Sequence, residues 1–219
     1  MNTPFAELDH LVVAADSLDQ GAAYIADLLG AEPAGGGKHD ILGTHNRVLK
    51  LGRGRYLEVI AIDPDGRRPD FPRWFGLDDP ALQAQLKIRP RLVAWVARCE
   101  AVDSLAADIF KARTRVRAMQ RGALTWRFAG TDDGSLPGGG LIPHLIQWEV
   151  AEHPADMMPD TGCRLIALEG AHPDPAAVQA VISRLGLENT LSVHAISTGR
   201  PQGLRARIET PGGKIVTLE

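Results

Sequence analysis

Apolar residues along the chain fall into short blocks that alternate between a continuous and a helical spacing. Residues 8–15, LDHLVVAA, form a nearly unbroken apolar run of the length of one buried strand. Ser17 follows, with Gln20 three positions on, a pairing that closes the first turn of a helix. Ala22, Ala23, Ile25, Leu28 and Leu29 then recur at helical intervals, and Gly30 suits the left-handed backbone that ends a helix. Beyond a glycine-rich turn at residues 35–37, residues 45–51 and 56–62 read as strands, with Arg53-Gly54 as the hairpin turn between them.

The order recurs twice. Residues 92–99 are an apolar strand, Asp103 is placed to cap a helix carrying Leu105, Ile109 and Phe110, and residues 123–129 and 145–150 are strand-like. A third copy opens at residues 164–168. Its helix starts at Asp174-Pro175 and carries Val178, Val181, Ile182 and Leu185 before Gly186. Residues 191–197 and a hairpin of 204–209 with 214–218, around Thr210-Pro211-Gly212-Gly213, follow. These units make a diverged internal repeat. The fold class expected is α+β, built of tandem βαβββ modules: residues 5–65, residues 91–152, and a third partial unit over 160–219. Residues 66–90 lie in a stretch rich in Pro, Asp and Arg and read as a linker or arm, and residues 152–159 mark the next boundary.

Composition adds exclusions. With 44% hydrophobic and 23% charged residues the chain is an ordinary globular sequence, neither disordered nor a coiled coil. A formal net charge of −3 offers no general attraction for nucleic acid. The arginine-rich stretch 113–121 reads as a solvated face. Cys99 and Cys163 stand outside any CxxC or Cys/His cluster, as two buried thiols of a reducing compartment would. MNTPFAELDH lacks the basic and apolar regions of a signal peptide, and no stretch reaches the roughly 18 apolar residues of a membrane span. The expected location is the cytoplasm. Neither glycine triplet, 35–37 or 138–140, sits in a phosphate-binding motif, so both read as loops.

The segment LDHLVVAADSLDQGAAYIADLLGAEPAGGGKHDILGTHNRVLKLGRGRYLEVIAIDP resembles the opening module of glyoxalase-like domain proteins of the vicinal oxygen chelate superfamily, and Pro143-His144-Leu145-Ile146-Gln147-Trp148 is similar to the strand that closes their second module. The resemblance implies paired modules whose sheets curl into a cup. It also implies a divalent metal (zinc, nickel, manganese or iron) held by residues of the first and last strand of each module. Carried across, His10, Glu58 and Gln147 match ligand positions, whereas Ala94, with Trp95 beside it, stands where the fourth would be. The superfamily includes isomerases, lyases, extradiol dioxygenases, fosfomycin-modifying enzymes and drug-sequestering proteins, so it specifies no single activity.

Strand alternation bears on the same residues. His10 shares a face with Leu8 and Val12, and Glu58 with Tyr56, Ile60 and Ile62, a costly place for a carboxylate without a metal, cation or hydrogen bond. His45 and Arg47 are a polar pair on the face of Leu49 and Leu51. The plain alternative is a hydrogen-bonded core histidine with Glu58 paired to Arg47. His39 reads as a loop residue, either exposed or at a pocket mouth. Trp95, Trp126 and Trp148 would wall an apolar ligand if they face the cup, and Arg47 or Arg127 would grip a carboxylate. The expectation is a small-molecule enzyme of isomerase or lyase type, with Glu58 or His45 moving a proton. The alternative is a metal-free binding protein. A third reading makes residues 63–90 an arm reaching a second copy in a homodimer, through Phe71, Pro72, Trp74 and Phe75.

Overall fold

The computed structural model describes residues 6–198 and 201–219; the boundary drawn at residue 5 lies outside them. Glu7–Ala14 forms β1 and Leu18–Leu29 forms α1. The Ser17 hydroxyl accepts the Gln20 N–H at 3.2 Å, and the Gln20 carboxamide accepts the Asp16 N–H at 3.1 Å, so the first turn is closed from both sides. Ala34–His39 (β2), Thr44–Lys50 (β3) and Tyr56–Ile62 (β4) complete the first module. The glycines expected to make a turn are therefore strand β2. They let it press against β3: a Cβ on Gly36 would stand 2.1 Å from the Asn46 carbonyl oxygen.

The arm holds the short helix α2 (Pro80–Leu86). The second module follows as β5 (Arg91–Arg98), α3 (Val102–Phe110), β6 (Thr114–Arg121), β7 (Leu124–Thr131) and β8 (His144–Trp148). Strand β6 is the arginine-rich stretch expected to be a solvated face, and alternation puts Arg115, Arg117, Met119 and Arg121 on one side of it. Asp103 does not cap α3. It forms a two-pronged pair with Arg127, and the cap is supplied from elsewhere in the chain. After α4 (Pro154–Met157), the third unit runs β9 (Arg164–His172), α5 (Pro175–Arg184), β10 (Leu191–Ala195), β11 (Gly203–Glu209) and β12 (Ile215–Leu218). Asp174 caps α5 by accepting the Ala177 N–H at 3.0 Å.

One eight-stranded sheet carries both modules in the order β2-β3-β4-β1-β5-β8-β7-β6. β1 and β5 meet antiparallel at its centre, with β4 parallel to β1 and β8 parallel to β5, so the halves are related by an approximate two-fold axis. The sheet curls until the edge strands β2 and β6 face each other across a cup. The third unit keeps the order strand, helix, three strands, but its sheet runs β10-β9-β11-β12 with β10 parallel to β9. It packs on the convex side, where Leu168, Ile182 and Leu204 share a core with Leu11, Ile25 and Trp95.

A second core fills the cup, with Val12, Ile60, Val96 and Ile146 on its floor. The arm closes it from above. Trp74 and Phe75 are 5% and 4% exposed and stack on or abut Phe128, so they form no exposed anchor patch. Arg73 pins this turn by donating to Asp78 at 2.6 Å and to the Leu42 carbonyl at 2.9 Å. No helix among the described residues is long and apolar enough to cross a membrane.

Candidate functional site

A break in strand alternation builds the centre of the cup. The β1–β5 register shifts between Leu8 and His10, leaving Leu8 in the convex core with Leu11 and turning His10 into the cup with Val12. Asp9, at the break, is fully buried and accepts from three side chains: His10 Nδ1 at 2.6 Å, His153 Nε2 at 2.7 Å and Trp148 Nε1 at 2.9 Å. The other nitrogen of His10, Nε2, lies 3.5 Å from Glu58 Oε2. The ring stacks on Tyr56, with centroids 4.5 Å apart. Burial opposes charge on His10, but hydrogen bonds to Asp9 and Glu58 outweigh it and push its pKa up to about 9. Burial would likewise raise Glu58, yet its bond to His10 and the imidazolium charge bring it down to about 2. Asp9 is held below the usual carboxylate range against its own burial by His10 and His153. The centre is thus an imidazolium between two carboxylates.

Asn46 links this group to the rim. Its Nδ2 donates to Glu58 Oε1 at 2.5 Å, while its Oδ1 accepts from Gly37 N at 3.0 Å and from Arg121 Nη1 at 2.9 Å. Arg121 Nη1 also lies 3.4 Å from His39 Nε2, a contact that requires that nitrogen to carry no proton. Burial lowers the pKa of His39 accordingly, and its Nδ1 pairs with the Thr44 hydroxyl at 3.0 Å. His10, Glu58, Asn46 and Arg121 line a cavity of about 50 Å³ together with Trp74, Phe75, Trp126, Phe128 and Trp148.

Five candidate residues point elsewhere, Arg127 among them through its pair with Asp103. Gln147 is on the opposite face of β8 from Ile146, and its Oε1 accepts the Val102 N–H at 3.1 Å, supplying the missing cap of α3. His45 and Arg47 face the helices with Leu49, because it is Asn46 that turns inward from β3; Arg47 pairs with Asp19 at 2.8 Å. Trp95 is fully buried in the convex core and donates to the Leu141 carbonyl at 2.8 Å. Each of these is a shift of one strand position, enough to carry a side chain through the sheet. Trp126 and Trp148 do reach the cavity, their centroids 5.4 Å apart.

The donors do not make a nest for a divalent metal. His10 and Glu58 supply two atoms, and the approximate two-fold puts Ala94 and His144 in the matching places of the second module. Ala94 offers no donor, and His144 is buried against Phe75 and Phe128, outside the cavity lining. His10 has one nitrogen spent on Asp9, and the Arg121 guanidinium shares the wall. Among the described residues no three of His, Cys, Asp and Glu are grouped to hold a metal. Sequence reasoning missed Asp9, Asn46 and Arg121 as site residues, and read Tyr56 only as an apolar neighbour. For Asp9 the available signal was an acid beside a histidine inside an apolar strand.

A family model described as a glyoxalase-like domain matches residues 8–186. The chain belongs to that family. As a glyoxalase-like domain protein it falls within the vicinal oxygen chelate superfamily. No curated protein matches it. Among solved structures it is similar to a hypothetical protein from Staphylococcus aureus, at 13% identity and a TM-score of 0.59, over 83% of this chain and 75% of that one. Methylmalonyl-CoA epimerase from Mycobacterium tuberculosis aligns at 19% identity over 71% of this chain and 96% of its own, with a TM-score of 0.43. A hypothetical protein from Bacillus halodurans aligns at 11% identity over 67% and 96%, with a TM-score of 0.42. The likeness to the Staphylococcus aureus protein concerns fold alone.

Proposed function

We propose that the cup is the active site of a small-molecule enzyme that moves a proton on a carbon beside a carbonyl, a step of the isomerase or lyase kind. One observation carries the reading: a buried imidazolium and a carboxylate, 3.5 Å apart, face one cavity. That separation is longer than a good charged hydrogen bond, so a substrate oxygen entering beside Glu58 can accept the His10 Nε2–H in its place. As it does, Glu58 loses its main stabilising partner, its proton affinity rises, and it takes the proton from the adjacent carbon. The negative charge that develops on the substrate oxygen is met by His10, with Asp9 holding the ring. Two donors are too few for a resident divalent cation, so no step is assigned to one.

The test is solvent exchange. The protein is incubated in D2O with a panel of small 2-oxo acids and hydroxyketones, and deuterium uptake is read by mass spectrometry. Wild type is expected to exchange the hydrogen beside the carbonyl of at least one compound. Glu58→Gln should slow this at least about a hundredfold, and prior dialysis against a chelator should leave it unchanged. Exchange as fast in Glu58→Gln as in wild type, or none across the panel, overturns the proposal. The aromatic wall supports the second reading, a binding protein for an aromatic compound; there, ligand binds and nothing exchanges.

A further inference from the structure

We infer that Arg121 and the groove beside it recognise the carboxylate and hydrocarbon tail of an amphipathic acid, which names the substrate class of the cup. The inference rests on the cup being the substrate site.

Arg121 is the arginine among the described residues that lines the cavity, and it differs from those held by acids. Arg47, Arg73, Arg98, Arg127, Arg164 and Arg184 each pair with a carboxylate. The contacts of Arg121 are neutral, Asn46 Oδ1 and His39 Nε2, and among the described residues no carboxylate oxygen is paired with it. Both contacts use Nη1, which leaves Nη2 and Nε of a guanidinium fixed in place by its neighbours. A pre-set guanidinium fork without an acid matches the two oxygens of a carboxylate. The charge balance also favours a carboxylate over a phosphate dianion. Arg121 and His10 bring two positive charges that Asp9 and Glu58 offset, so a carboxylate leaves the site one charge negative and a phosphate dianion would leave it two.

Arg121 also joins two spaces. It lines the small cavity of His10 and Glu58 and also a groove of about 320 Å³ whose walls include Val48, Leu49, Leu124, Met157, Met158 and Pro159, with Glu32 and Lys50 beside them. The cavity of about 50 Å³ admits only a few atoms, whereas the groove is within the range of small-ligand sites. Glycines at positions 35 and 36 keep β2 from closing the groove, and the two methionines give it an adaptable apolar wall. A carboxylate held by Arg121 sits where the two spaces meet, its carboxyl end beside the cavity of His10 and Glu58 and its tail along the methionines.

Straight-chain carboxylates from butyrate to octanoate, each compared with its amide, test this by titration calorimetry. Affinity is expected to rise about fourfold per methylene, with each acid at least tenfold tighter than its amide. Arg121→Met should erase the acid–amide difference, Arg121→Lys should keep part of it, and Met158→Glu should flatten the dependence on chain length, all with unchanged circular dichroism. Equal binding of acid and amide by wild type, undiminished octanoate binding by Arg121→Met, a chain-length dependence untouched by Met158→Glu, or no saturable binding up to octanoate each overturns it. If hexanoate binds but no compound exchanges in D2O, the proton-transfer reading falls and this one stands. Exchange without hexanoate binding gives the reverse.

Discussion

Asp9 is the residue on which the site's charge state turns. Fully buried, it satisfies three donors at once, so Asp9→Asn removes the counter-charge of His10 and puts an amide N–H among groups that themselves donate. The expected loss is about 3–5 kcal/mol in urea denaturation, and His10 should titrate well below pH 9 by NMR. His144 makes the opposite case. It is fully buried, edge-on to Phe75 at 4.8 Å, with no partner for either ring nitrogen among the described residues, and burial takes its pKa from 6.5 down to about 3. Above pH 6.5 it is neutral whether folded or unfolded. Below that, only the unfolded chain gains the proton, so stability falls as pH drops from 6.5 towards 3, by up to about 1.4 kcal/mol per pH unit. His10 works on the other limb. Raised from 6.5 to about 9, it stabilises fully below pH 6.5, and that contribution is lost as pH rises through 9. His144→Leu should flatten the acid limb and leave the alkaline one alone. Denaturation midpoints at pH 4, 7 and 9 check this, and an acid limb as steep as before would count against it.

At the scale of elements, what could be read in advance was whatever depends on near neighbours in sequence. Ser17 with Gln20, Gly30, and Asp174 before Pro175 specify helix ends through bonds spanning three or four residues, and all three ends form as the spacing implies. Strands β2 and β6 were not legible, because glycines and arginines show no apolar alternation; one pairs through its backbone and the other turns its arginines into a cup built by distant strands. The same limit explains Gln147. Which face of β8 looks inward is decided by pairing with β5 and β7, and nothing within PHLIQW distinguishes Ile146 from its neighbour. His10 and Glu58 could be found because a buried imidazole and acid violate their own strands' apolar character. Asn46 and Arg121 violate nothing locally. As the remote cap of α3, Gln147 has a structural role: Gln147→Ala is expected to cost about 1 kcal/mol in denaturation while leaving solvent exchange in the cup unaltered.

Across the whole molecule, the three units are expected to unfold as one cooperative body, because α5 of the third unit buries Ile182 in the same core as Leu11 of β1 and Trp95 of β5. Ile182→Ala, far from the cup, should cost about 2–5 kcal/mol and shift a single unfolding transition seen both by tryptophan fluorescence and by far-ultraviolet circular dichroism. Separate transitions by the two probes would show that the third unit is independent. The approximate two-fold axis of the large sheet has a consequence of its own. Symmetry of the backbone is not matched by symmetry of side chains: one half presents His10 and Glu58 to the cavity, the other Trp126, Phe128, Ile146 and Trp148. A flat molecule lying between them meets a proton donor and acceptor on one side and hydrocarbon on the other. Protons would then be exchanged at a single prochiral face, so only one of the two hydrogens beside the carbonyl should be replaced. NMR of the deuterated product coupled to a chiral reagent would show this as a single diastereomer.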